Sequence, residues 1–148
     1  MDTSNEKSLY DSDFYQWTLH NANLLRQGRL TELDIENIAE ELEYMGNSSK
    51  RELASRLVVL IMHLLKWQYQ PKRRSRSWGT TIITQRAEIE RLLENSPSLK
   101  NNIETVIDKE FITAKRMFEV ETKIKIKDLP ATCPYTFEQL MDDGFLPE

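Results

Sequence analysis

One cysteine, four glycines and five prolines in 148 residues exclude several classes of protein before any pattern is considered. A lone thiol, Cys133, closes no internal disulfide, so a disulfide-stapled scaffold is ruled out and a reducing, cytoplasmic setting is expected. The scarcity of Gly and Pro likewise excludes collagen-like and low-complexity chains. Long apolar runs are missing too. The best candidate, residues 57–65 (LVVLIMHLL), falls well short of the roughly 20 residues that cross a bilayer, and His63 interrupts it. The opening MDTSNEKSLYDSD has neither the basic start nor the apolar middle of a secretory signal, so no membrane association or export is expected. Excess positive charge is also lacking. At a net −4 the chain has no overall attraction for nucleic acid or anionic lipid, and any such contact must be local.

What is present suits a helical protein: 39% apolar and 30% charged residues, enough for one buried core and too few in total for two typical domains. Residues 1–9 are expected to form a flexible tail and residues 10–148 a single domain. A first helix is predicted from Asp11 or Ser12 to Gln27, with Phe14, Trp17, Leu24 and Leu25 inward and Gly28 as its stop. A second begins around Thr31 to Asp34 and ends at Gly46, carrying the stripe Ile35, Ile38, Ala39, Leu42 and Met45 opposite an acidic face.

The third, opened by Ser49-x-x-Glu52 and closed at Gln70 by Pro71, is apolar almost all round and should be the central helix, over about residues 49–70. After a basic loop, a fourth helix spans about Thr80 to Glu94, with Ile82, Ile83, Ile89, Leu92 and Leu93 inward. Ser96-Pro97 starts a fifth, bearing Leu99, Ile103, Val106, Ile107, Ala114 and Phe118 and reaching about Glu121. The alternating segment KIKIK (residues 123–127) has no second strand to pair with and is taken as extended. A short C-terminal helix is expected behind a Thr136 cap. The expected fold is therefore all-α: a compact bundle of about five helices around the third, plus the short terminal one.

Several strings occur together in order: Tyr10-x-x-Asp13-Phe14-x-x-Trp17, Leu24-Leu25-Arg26-x-Gly28, Leu33-Asp34-x-x-Asn37-x-x-Glu40-Glu41-x-Glu43 and Met45-Gly46. They are followed by residues 63–71 (HLLKWQYQP), Ser77-Trp78, Pro97-Ser98-Leu99, Pro134-Tyr135 and Phe145-Leu146-Pro147. This set resembles the bacterial domain of unknown function family 29, frequent in cyanobacteria, over about residues 9–147. The resemblance implies an all-α domain and supplies no catalytic residue, ligand or cofactor, so function has to be argued from the side chains themselves.

Charge is unevenly spread. Residues 31–46 hold six acids (Glu32, Asp34, Glu36, Glu40, Glu41, Glu43) and no base, whereas residues 66–78 hold five bases (Lys66, Lys72, Arg73, Arg74, Arg76) and no acid. The bland interpretation is an internal network or two solvated surfaces. In one version, Glu36, Glu40, Glu41 and Glu43 meet His63 and Lys66 across two packed helices and fix their register. A sharper interpretation makes Lys72, Arg73, Arg74, Arg76 and Trp78, with Trp67 and Tyr69, an anion or nucleic-acid surface, arginines on phosphates and rings on unpaired bases.

A metal or acid/base site built from Glu36, Glu40, Glu43 and His63 is the weakest of these. The Glu-x-x-His pairs of carboxylate-bridged bundles occur nowhere, and the only histidines are His20 and His63. No Gly-x-Ser-x-Gly, phosphate loop or His-Glu-x-x-His is present, no base accompanies Cys133, and no cofactor is expected. The residues point to a macromolecular interaction module with a protein partner. A nucleic-acid accessory protein and an enzyme stand as alternatives, and a homodimer through residues 120–126 or an apolar helix face stays open.

Overall fold

The computed structural model describes residues 8–148, which divide into two compact units at Asn47 and Ser48. Its α-helices are α1 (Leu9–Ser12), α2 (Phe14–Arg26), α3 (Ile35–Tyr69), α4 (Arg76–Asn95), α5 (Ile103–Thr122) and α6 (Phe137–Met141), joined by short 3-10 turns. No strand occurs among the described residues, so the protein is all-α. Most of the predicted flexible tail, residues 1–7, lies outside the described residues.

The largest departure from expectation is α3. Two helices were predicted, split between Gly46 and Ser49; one helix runs unbroken from Ile35 to Tyr69. A helix-interior glycine costs only about 1 kcal/mol relative to alanine, too little to end a helix whose neighbouring turns are otherwise favourable. Pro71 does end it, as predicted, because its preceding residue is driven out of helical geometry. Gln70 sits at φ −129°, ψ 61°.

The N-terminal unit contains α1, α2 and the first turns of α3. Asp13 caps α2 by accepting from the Gln16 amide at 3.1 Å, and Gly28, at φ 69°, supplies the left-handed residue that ends it. The turn from Leu30 to Glu32 then leads into α3. Among the described residues few are buried here: Trp17, Asn21 and Leu24, one α2 stripe at i, i+4, i+7. Phe14 and Leu25, predicted inward, are exposed. So are Ile35, Leu42 and Met45 of the predicted second stripe.

The C-terminal unit holds the core. Leu53, Leu57, Leu60, Ile61, Leu64 and Leu65 of α3 are all but inaccessible, and they are surrounded by Ile82 and Ile89 of α4, Ile107, Phe111, Ala114 and Phe118 of α5, and Leu140 of α6. The predicted central helix is central here, and Phe111, absent from the predicted α5 stripe, is one of its largest buried side chains. Ile83, predicted inward, faces solvent because the position before it, Ile82, takes the core direction and 100° per residue turns its neighbour away.

Pro97 opens a separate 3-10 turn, Pro97–Lys100, rather than α5 itself; the long helix begins after Asn102 in left-handed conformation (φ 59°). Asparagine tolerates that geometry through local hydrogen bonding. The short α6 matches expectation, with a reciprocal capping box between Thr136 and Gln139.

Candidate functional site

Three regions contain the sequence-predicted site residues. In the N-terminal unit, Asp34 organises the turn between α2 and α3. Its carboxylate accepts from the Trp17 indole at 2.9 Å and the Asn37 amide at 2.8 Å, while its own backbone N–H donates to the Asn21 side chain at 3.0 Å. Hydrogen bonding, first from Asn37 and then from Trp17, holds the Asp34 carboxyl below its usual range.

Glu41 accepts from the Tyr10 phenol, which is pushed up to about 12 chiefly by that hydrogen bond. The Tyr10 ring meets Phe14 and Trp17 edge-on at 5.8 and 4.8 Å. Glu36, Glu40 and Glu43 are exposed. Glu41 was expected to reach His63 or Lys66; the contact it makes is with Tyr10.

Helical geometry sorts the first turns of α3 into three faces, at 100° per residue. Asp34, Asn37, Ile38 and Glu41 share the side that meets α1 and α2. Ile35, Ala39, Leu42 and Gly46 fall on a second, within about 60° of one another. Glu36, Glu40 and Glu43 form a third, about 100° further round. The second face is open: Ile35 is 64% exposed and Leu42 62%, and among the described residues no atom beyond the helix's own backbone lies within 4 Å of where a side chain on Gly46 would begin.

The second region surrounds His63 and Lys66 in the C-terminal unit. His63 Nδ1 lies 2.8 Å from the Val59 carbonyl oxygen; donating there, it leaves Nε2 as the basic nitrogen. Partial burial lowers the His63 pKa, the nearby Lys66 lowers it further, and Glu121 opposes the change. Lys66 is buried, pairs with Glu121 of α5 at 3.2 Å, and sits 4.6 Å from the centre of the Trp78 ring. A shallow depression of about 430 Å³ adjoins this pair, lined by Met62, Arg116, Met117, Val120 and Glu121. Sequence reasoning missed Glu121, because nothing in the spacing of α5 indicates which carboxylate faces a lysine 55 residues earlier. The helix-two carboxylates were predicted to face His63 from a separate helix, whereas they and His63 belong to the single helix α3.

The third region is the basic segment. Lys72 and Arg73 lie exposed on the turn Pro71–Arg73, and Arg76 begins α4, which Ser75 caps. Arg74 folds over the Trp67 ring at 5.1 Å and donates from Nε to the Trp67 carbonyl at 2.8 Å, satisfying an orphan carbonyl at the end of α3. Both tryptophans thus hold an internal cation over a ring face, Trp67 under Arg74 and Trp78 under Lys66. A depression of about 360 Å³ lies beside them, with Arg74, Arg76 and Thr80 on its wall.

Two further cations, neither flagged by sequence pattern, anchor the C-terminal segment. Arg86, 2% exposed, donates to the carbonyls of Leu140, Gln139 and Phe145 at 2.7, 3.2 and 2.8 Å. Lys115 reaches the carbonyls of Pro130 and Ala131 and lies 4.7 Å from the Phe111 ring centre. These contacts hold the segment from Leu129 to Phe145 onto the bundle and contain no reactive centre. Cys133 is half-buried, and burial raises its thiol pKa, the opposite of what a nucleophile needs. Among the described residues no group of three or more His, Cys, Asp and Glu side chains is placed to hold a metal ion. Nor is any helix among them long and apolar enough to cross a membrane.

The family model described as "Domain of unknown function DUF29" matches residues 9–146. The chain belongs to this family. Nothing matches it among curated proteins or among solved structures. Membership in DUF29 covers nearly the whole chain and leaves the activity to be argued from the surfaces above.

Proposed function

We propose that this DUF29 protein is a cytoplasmic interaction module that binds another protein through its N-terminal unit. The observation carrying this reading is the open face of α3, where residues predicted as core are more than half exposed. With Leu19, Leu25 and Leu30 also in solvent, this unit leaves uncovered much of the apolar surface that an amphipathic hairpin normally buries. Isolated exposed apolar residues need no explanation; a stripe at helical spacing does.

The alternatives have less support. A nucleic-acid surface needs free aromatic faces for stacking, and both tryptophans of the basic segment already carry a cation on one face. An acid/base enzyme would have to work with His63, Lys66 and Glu121, of which the last two neutralise each other.

The test is a two-site variant, Ile35→Ser and Leu42→Ser, compared with the wild type by crosslinking in an extract of the cells that make the protein. The variant should keep its thermal midpoint, since the positions are exposed, and lose the crosslinked partner. An unchanged crosslink would overturn the assignment of the face.

A further inference from the structure

The open face is built for a particular kind of occupant. Ile35 and Leu42 are seven residues apart, and so are Ala39 and Gly46. Large and small side chains therefore alternate along the face with a heptad repeat, the relief into which the knobs of a second helix fit. Gly46 sharpens the point. It lies inside a 35-residue helix where glycine is unfavourable, and among the described residues nothing beyond the helix's own backbone comes near enough to need the missing side chain. Close approach by something from outside gives the glycine a reason.

Charge then selects among helices. Residues 1–47 carry ten acidic side chains and three basic ones, whereas residues 48–148 carry fourteen acidic and seventeen basic. Glu36, Glu40 and Glu43 line one edge of the apolar face, and none of them has a basic partner among the contacts of the described residues. Two copies of this unit placed face to face would set acid against acid, at a cost that rises as the edges are desolvated. A helix with an apolar stripe edged by lysine or arginine meets both features.

Resting on the reading of this unit as a docking surface, we propose that its occupant is a basic amphipathic helix of a partner protein, laid along Ile35, Ala39, Leu42 and Gly46 with its cations against Glu36, Glu40 and Glu43.

Fluorescence anisotropy of the full chain with labelled 18-residue model peptides tests this. One peptide has leucines at heptad core positions and lysines elsewhere. In the second, glutamate replaces lysine; in the third, serine replaces leucine. The leucine/lysine peptide should bind about tenfold or more tightly than either control, and less tightly as salt is raised. Reversing the edge (Glu36→Lys, Glu40→Lys, Glu43→Lys) and removing the stripe (Ile35→Ser, Leu42→Ser) should each cost about tenfold. Gly46→Ala should raise the thermal midpoint while weakening the peptide complex, an opposite pair that a merely structural glycine would not produce.

Equal binding of the serine/lysine peptide would reduce the interaction to bulk charge and sink the proposal. A dimer in sedimentation equilibrium, dissolved by Ile35→Ser with Leu42→Ser, would assign the face to a second copy and sink it too. If the serine variants lose the crosslinked partner but the lysine reversals do not, the docking surface stands and only the basic helix falls; if the serine variants retain the partner, the surface itself falls.

Discussion

The two units treat apolar side chains in opposite ways. From Leu53 onward, the main apolar stripes of α3 and α5 pack together in the core, and even charged groups are drawn inside: Lys66, Arg86 and Lys115 are buried and satisfied by a carboxylate, carbonyl oxygens or aromatic rings. In the N-terminal unit, burial among the described residues stops at Trp17, Asn21 and Leu24, and Ile35 and Leu42 of α3 stay exposed. The same periodicity thus serves closure in one unit and presentation in the other. In the C-terminal unit α4, α5 and α6 surround the stripe of α3, whereas in the N-terminal unit α1 and α2 meet a different side of the helix.

Substitutions that probe this contrast should differ in size. The largest effect is expected at Arg86. Replacing it by alanine strands three carbonyls and opens a cavity, so urea unfolding should show a loss of about 3–5 kcal/mol. A loss below about 1 kcal/mol would mean that the C-terminal segment is held by apolar packing instead.

The next is pH dependence from His63. Its folded-state pKa is depressed by burial below the ordinary 6.5, so the unfolded chain takes up the proton more readily. Stability is therefore complete above pH 6.5 and lost as pH falls below it, by at most about 1.4 kcal/mol per pH unit. Denaturation curves measured across that range should slope in the wild type and flatten in His63→Leu; parallel slopes would show that His63 is not the group responsible.

A smaller change of opposite sign belongs to the N-terminal unit. Gly46→Ala should stabilise by about 0.5–1 kcal/mol, because helix propensity improves and no neighbour is in the way. Destabilisation in calorimetry would reveal a contact at Gly46 and erase the contrast there. Smallest of all, Leu42→Ser should move stability by less than about 0.5 kcal/mol, whereas Leu57→Ser, at the same helix's inaccessible face, should be severely destabilising. Equal costs for the two would mean that the N-terminal stripe is covered after all.

Local chemistry in the sequence was enough to determine the all-α class, the helix stops at Gly28 and Pro71, the Thr136 cap, the central position of residues 53–65 and the family. Each of these depends on side chains within a few residues of one another, where helical period, a capping hydroxyl or a proline ring acts directly on the backbone. Tertiary structure alone decided that α3 continues through Gly46, that Ile35 and Leu42 remain exposed, that Glu121 answers Lys66 and that Arg86 seals the C-terminal segment. An apolar stripe specifies a surface to be covered but not what covers it, and a buried cation finds its oxygens across gaps of more than fifty residues, which no local pattern encodes.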